Sequence, residues 1–591
     1  MFYELWIGLS VSIFRLFPVI YLFFIYGCAT VPEQATIPAT TAKPAELTKP
    51  LVKKQQNEDK DSLSPDVLFM LLTAELAGQR GQYDIAMEGY MEAAKRVHDP
   101  RLTERAAMIA MYLKDSKKTN EAVSLWLKQD PGNLTARKLS AFSAIKAGDK
   151  KQSVEQLSSL LKNDPAGFEK TLFEMAGAVQ KDSNLPFVYD VMEALSFKYP
   201  NQASVYFIQS LLAADMKKQD LAETKIEQAL RLQPDWDKAL ILQAQMAVYL
   251  EDYPRAEALL RKDALKYPVN DKFKKMLAQT LIKSGKYQEA GEVYETLIAS
   301  NPKDAESRFS LGLVHLQLER DSKAEEIFKQ LLEEPDWRNQ SNFYLGKIEE
   351  KHENTQNAIA WFDKVTDGPF QFEGAVTAIS LLAKDKQFGK AEQRLTEMMA
   401  KFPKQKPRVV LIQAELYSQQ KQYVRALNLL TEELKQYPDQ EELLYSRALM
   451  ADRLGKLDIM EADLRKILAK SPDNVEALNA LGYSLADKTT RYAEAETYLL
   501  HALRFKPDEA VILDSYGWLK YRMGDNQVAL NYLQRAYDKQ PENEIAAHLA
   551  EVLWVIGKKE EAKKLIIKGL GDAPDDIYLL NFKNKFLQSD K

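Results

Sequence analysis

Five histidines, one cysteine and 85 acidic residues are the groups in this 591-residue chain that acid–base, nucleophilic or metal chemistry would use. Their arrangement argues against all three. His98, His315, His352, His501 and His548 stand far apart and form no metal-ligand spacing. Glu544 and His548, four apart on one helix face, are half a metal site by spacing; the ordinary reading is a surface polar pair. The chain has no glycine-rich phosphate loop ending in Gly-Lys-Ser/Thr, no Gly-x-Ser-x-Gly elbow and no His-Glu-x-x-His. The sequence therefore predicts a chain that is not an enzyme and holds neither metal nor cofactor. Lys+Arg (80) nearly balances Asp+Glu (85), for a net charge of −5, and no basic block marks a nucleic-acid footprint.

The single cysteine is Cys28. Residues 16–27 form an apolar run of signal-peptide length, with Arg15 before it. Ile25-Tyr26-Gly27-Cys28 resembles the bacterial lipoprotein signal: an aliphatic residue at −3, a small one at −1, then the cysteine that is acylated. That resemblance implies a signal peptide over 1–27, a lipid anchor at Cys28 and, because Ala29 and not Asp follows, the periplasmic face of the outer membrane. The competing reading is a transmembrane anchor starting near Leu5, with Cys28 a buried thiol. Residues 28–64 then hold Pro, Thr, Ala, Lys and Gln with few large apolar groups, a composition that predicts a disordered tether.

From residue 86 onward one spacing organises the chain. A small-residue position recurs about every 34 residues, at Ala86, Ala122, Ser153, Val188, Ala222, Ala256, Ala290, Ala324, Ala358, Ala391, Ala426, Met460, Ala495, Ala529 and Ala562. A proline follows each slot about twelve positions on, from Pro100 to Pro574. Such a period marks a solenoid, because one repeat cannot bury its own apolar face and must stack on neighbours. Each period reads as two helices: 510–523 has apolar residues at helical spacing, Gly524-Asp525 breaks it, and 527–539 carries Ala529 and Ala536 on one face before Pro541. The small residues belong where helices cross closely.

The pattern resembles the tetratricopeptide repeat. Leu481-Gly482, Tyr492, Ala495, Ala502 and Pro507 match it, as do Leu311-Gly312, Ala324 and Pro335; Asp263, Glu433 and Met460 occupy places the family fills with small residues. The resemblance implies an all-α, right-handed superhelical solenoid of about 15 repeats over residues 65–586, with 577–587 as a capping helix. It also implies a concave groove lined by the first helix of each repeat, taking proteins or extended peptides. Near the C-terminal end the family's groove positions select Asn479, Tyr483 and Asp487, then Asp514, Trp518, Tyr521 and Arg522, then Glu544, Glu551 and Trp554. Large aromatic side chains at such places supply contact area at low entropic cost.

The runs 477–487, 512–518 and 546–554 are similar to one family of proteobacterial repeat lipoproteins, which includes the binding partner of a periplasmic carboxyl-terminal processing protease. What this implies is an envelope adaptor for such a protease and for cell-wall hydrolases. The alternative is a scaffold for a secretion, pilus or envelope-assembly complex. Limited proteolysis of the intact chain is expected to cut first within residues 29–64; first cleavage inside the repeats would remove the tether.

Overall fold

The computed structural model describes residues 64–179 and 184–587. Cys28, residues 1–27 expected to be a signal peptide and residues 29–63 expected to be a tether lie outside the described residues. Thirty-one α-helices and no strand occur among the described residues, arranged as fifteen helix-turn-helix pairs and a final single helix, so the fold is an all-α superhelical repeat. None of these helices is long and apolar enough to cross a membrane. The chain divides between Ala324 and Glu325 into two compact units.

Thirteen of the fifteen pairs turn the same way, whereas Val475–Lys488 is joined to Tyr492–Phe505 through Thr489 in extended conformation. In the thirteen, the first helix ends in a residue of left-handed conformation, and a second helix begins within a few residues. The left-handed residue recurs at Gly81, Lys114, Gly148, Lys217, Glu251, Gly285, Glu319, Glu353, Lys386, Lys421, Gly455, Gly524 and Gly557. The turn is closed by paired backbone bonds, as where Gly524 N–H donates to Tyr521 O (2.9 Å) and Asp525 N–H to Lys520 O (2.9 Å). Lys or Glu stands at seven of these places despite a cost of roughly 1 kcal/mol for a side chain in this conformation. Tertiary packing on both sides therefore dictates the turn.

The predicted slots are the core. All fifteen positions are buried, from Ala86 to Ala562, and Ser153, Val188 and Met460 are as enclosed as the alanines. One assignment changes. The slot lies five residues beyond the left-handed turn residue, which after Lys114 is Thr119 and not Ala122. Thr119 fits because its hydroxyl donates to Asp115 O (2.7 Å), as Ser153 donates to Asp149 O (2.6 Å). Both polar slots thus satisfy their own helix and need no partner across the crossing.

The periodic prolines do two jobs. Pro100, Pro165 and Pro335 open the following first helix, where the missing N–H costs nothing; Pro541 and its counterparts sit between helices. At the looser positions the fold persists: Asp263 is buried with its carboxyl pushed up by desolvation, and buried Glu433 takes Lys406 Nζ at 2.5 Å. Gly482 and Gly517 mark two close crossings. A Cβ at Gly517 would stand 2.8 Å from Leu533 Cγ and 3.1 Å from its backbone nitrogen. Gly517→Ala is expected to destabilise the C-terminal repeats by about 1–3 kcal/mol in urea unfolding; an unchanged midpoint would mean the crossing can open.

Candidate functional site

Within the 325–591 unit, three first helices run side by side: Val475–Lys488, Ala510–Arg522 and Asn543–Val555. Asn479, Asp514 and His548 recur on them at spacings of 35 and 34, so one row of the repeat places a polar residue on each helix. All three are buried. A buried polar residue requires a partner, and the row is where most of them find one.

His548 Nδ1 lies 3.0 Å from both oxygens of Asp514, joining neighbouring repeats. The Trp518 indole stacks on the imidazole, with ring centroids 4.1 Å apart and planes at 22°. Tyr483 donates its hydroxyl to Glu544 Oε1 (3.1 Å) and faces His548 Nε2 at 3.5 Å, reaching two repeats along the chain. Trp518 Nε1–H donates to Asp487 Oδ1 (3.0 Å), and Arg522 donates to the Asp487 backbone and carboxylate. Tyr521 donates to Glu551 Oε1 (3.1 Å), which also meets Lys585.

The final helix closes the cluster. Ile577–Phe582 continues as a π-helical turn over Lys583–Leu587, a shorter α-helix than the 577–587 expected. Trp554 packs on Phe582 and Phe586, and Lys559 sits 4.9 Å from the Trp554 ring. Arg453, at the end of Glu441–Arg453, donates to Tyr578 Oη at 3.0 Å, a contact 125 residues apart in sequence.

Charges respond to this enclosure. Burial alone would pull His548 down, but the Asp514 carboxylate beside it wins, so the imidazole titrates above its ordinary 6.5. Burial pushes Glu544 above 4.5, reinforced by Asp514 and opposed by His548 and Arg453. Desolvation raises the Tyr483 hydroxyl well above 10 and Tyr578 to about 12.

Carboxylate, imidazole and phenol in this order are groups used in proton transfer. Here His548 is held at Nδ1, faced at Nε2 and covered on one ring side, so the arrangement locks helices together. No group of three metal-ligating side chains occurs among the described residues.

The sequence-selected residues are therefore found together but unequally placed. Asn479, Asp514 and Trp518 are buried inside the cluster, while Tyr483, Asp487, Tyr521, Arg522, Glu551 and Trp554 are half-buried around it. Glu544 and His548 form no simple helix-face pair, because Glu544 bonds to Tyr483 two repeats back and His548 to Asp514 of the adjacent repeat. His548 was absent from the groove positions chosen on its helix, which were taken one residue out of register. Carrying the 34-residue step forward from Asp514 finds it.

Tetratricopeptide-repeat models match residues 275–340 and 521–586. A TPR repeat-containing protein of Pseudomonas aeruginosa is 32% identical over 522 residues, covering 88% of this chain and 86% of that one. Among solved structures, a thermophilic TPR protein of Thermus thermophilus is 24% identical, covering 30% of this chain and 98% of its own, with a TM-score of 0.28. Yeast Tom70 is 17% identical, covering 86% and 97%, with a TM-score of 0.32.

Because the fold favours charged His548, the Asp514–His548 pair stabilises fully below pH 6.5 and weakens as pH rises through the raised folded value. Raised Glu544 acts in the same direction, from its ordinary 4.5 upward. Asp514→Asn is expected to cost roughly 2–3 kcal/mol at pH 6, with the gap from wild type narrowing as pH rises. Urea unfolding across pH 5.5 to 8.5 reads this; a gap that widens with pH would reverse the assignment of charge.

Proposed function

We propose, for a chain that belongs to the tetratricopeptide-repeat family, the role of an envelope-anchored adaptor that brings a processing protease and its substrates together. Repeats of this family bind protein or peptide partners, and the chain is a protein–protein interaction scaffold in that general sense. As a class such chains are scaffolds and not catalysts. The narrower reading adds an acyl anchor at Cys28, placement on the periplasmic face of the outer membrane, and a carboxyl-terminal processing protease with cell-wall hydrolases as partners.

One observation carries the narrower reading. The three runs read as resembling a family of repeat lipoproteins that includes a protease's binding partner, 477–487, 512–518 and 546–554, lie on adjacent first helices and contain most of the interlocked cluster. Asp514 and Trp518 tie neighbouring first helices together from inside. Tyr521, Arg522, Asp487 and Trp554 remain half-buried, with side-chain surface left for a partner. A rigid row of aromatic and charged groups is the preorganised form of an interface. Co-tethering on one membrane turns an encounter in three dimensions into one at about millimolar effective concentration, which suits an adaptor.

The test is affinity capture from native membranes, wild type against Tyr521→Ala/Arg522→Ala. A processing protease with cell-wall hydrolases is expected with wild type, at least tenfold reduced in the variant, with helicity unchanged by circular dichroism. Secretion or pilus components in their place would keep the scaffold and discard the proteolytic role. An equal yield from both chains would move the interface off this row.

A further inference from the structure

The first described helix, Pro65–Gln79, buries Val67, Ala74, Ala77 and Gly78 against its neighbours. Its other side is apolar as well. Leu68, Phe69, Leu72 and Leu76 are 48, 71, 55 and 51% exposed, and Ile85 of the next helix, Tyr83–Arg96, adds a fifth at 49%. Positions 68, 72 and 76 are spaced i, i+4, i+8, which aligns them along one line of the helix, with Phe69 beside it. Among the described residues this is the densest run of exposed large apolar side chains.

Terminal repeats of a solenoid ordinarily turn a polar face outward. This one has few polar groups near the stripe. Asp66 stands at the helix start and Gln79 and Arg80 at its end, while Glu75 turns to Arg105 at 2.8 Å. A contiguous apolar surface of several hundred Å² on a folded chain marks a contact with another apolar phase.

We infer that this stripe is a membrane-surface contact, lying at the boundary between headgroups and acyl chains of a lipid bilayer. The inference rests on the reading that Cys28 is acylated. Residues 29–64 link that cysteine to the stripe, and a flexible chain of 36 residues has a root-mean-square span of about 30–35 Å. The bilayer is then the apolar phase always within range of the helix. The stripe is also a row of Leu and Phe with one half-buried hydroxyl, Thr73, beside it, a surface lipid covers with no matching shape. A helix of 15 residues is about 22 Å long, too short to span a hydrocarbon core of about 30 Å, so it lies on the surface. Arg80 is its only exposed cation. Binding therefore depends on apolar burial and not on anionic lipid, and acts as the second anchoring signal beside an acyl chain.

The experiment places a fluorophore in the stripe. Full-length Phe69→Trp is reconstituted with phosphatidylcholine vesicles carrying brominated acyl chains and compared with wild type, whose native tryptophans set the background. The emission added by residue 69 is expected to fall at least twofold, equally at low and high salt. With Leu68→Ser/Leu72→Ser added, that quenching is expected to vanish while the acylated chain still floats with vesicles. Intact mass reports acylation separately. An acylated, floating chain whose residue 69 is unquenched overturns the inference and leaves the anchor standing. A chain without the acyl mass overturns the anchor, and quenching of that chain by excess vesicles still decides the stripe. Unquenched residue 69 in a chain that sediments as a dimer, and as a monomer with Leu72→Ser, assigns the stripe to a second copy.

Discussion

Two helices can lie against each other at close range only where neither projects a side chain into the crossing. In this chain that condition is met mainly at the buried slot of each second helix, small in all repeats but those of Val188 and Met460, and at first-helix glycines such as Gly482 and Gly517. Everything else follows from it. The slot sets the distance between helices, the distance sets which larger side chains interdigitate, and the stacking of pairs replaces a single large core. A methylene too many at Gly517 meets Leu533 at once. Buried polar slots are admitted only when, like Thr119 and Ser153, they bond back to their own helix.

This constraint is why the architecture was legible in the residues. Alanine at a 34-residue step cannot be produced by composition alone, and it counted the fifteen pairs. The one misplaced slot, Ala122 for Thr119, arose because small size was read without hydrogen-bond capacity. A threonine that satisfies its own helix is small enough, and the turn at Lys114 fixes the register. The turns themselves were less legible. Seven of the left-handed positions hold Lys or Glu, residues that carry no local signal for that conformation.

The cluster around His548 was visible in part for a related reason. Aromatic and charged residues on consecutive first helices could be listed by position, but position does not say which of them face each other. Trp518 reads as a docking surface until His548 is found stacked on it at 4.1 Å. Glu544 reads as the helical neighbour of His548 until Tyr483 is found bonded to it from two repeats away. Pairing between repeats depends on how far each first helix is rotated relative to the next, and no single repeat encodes that rotation.

Most of the array obeys a nearest-neighbour rule, so a pair of helices could be added or removed and its flanks would still find equivalent surfaces. The last repeats do not. Tyr483 reaches Glu544 across an intervening helix pair, and Arg453 reaches Tyr578 across three. A duplication or loss anywhere between residues 453 and 578 would separate partners that have no substitutes elsewhere. Gene-level growth and shrinkage, the usual route by which repeat chains diverge in length, is therefore closed to this end of the molecule and open in the repeats that lack such long contacts. The C-terminal repeats are inherited as a block.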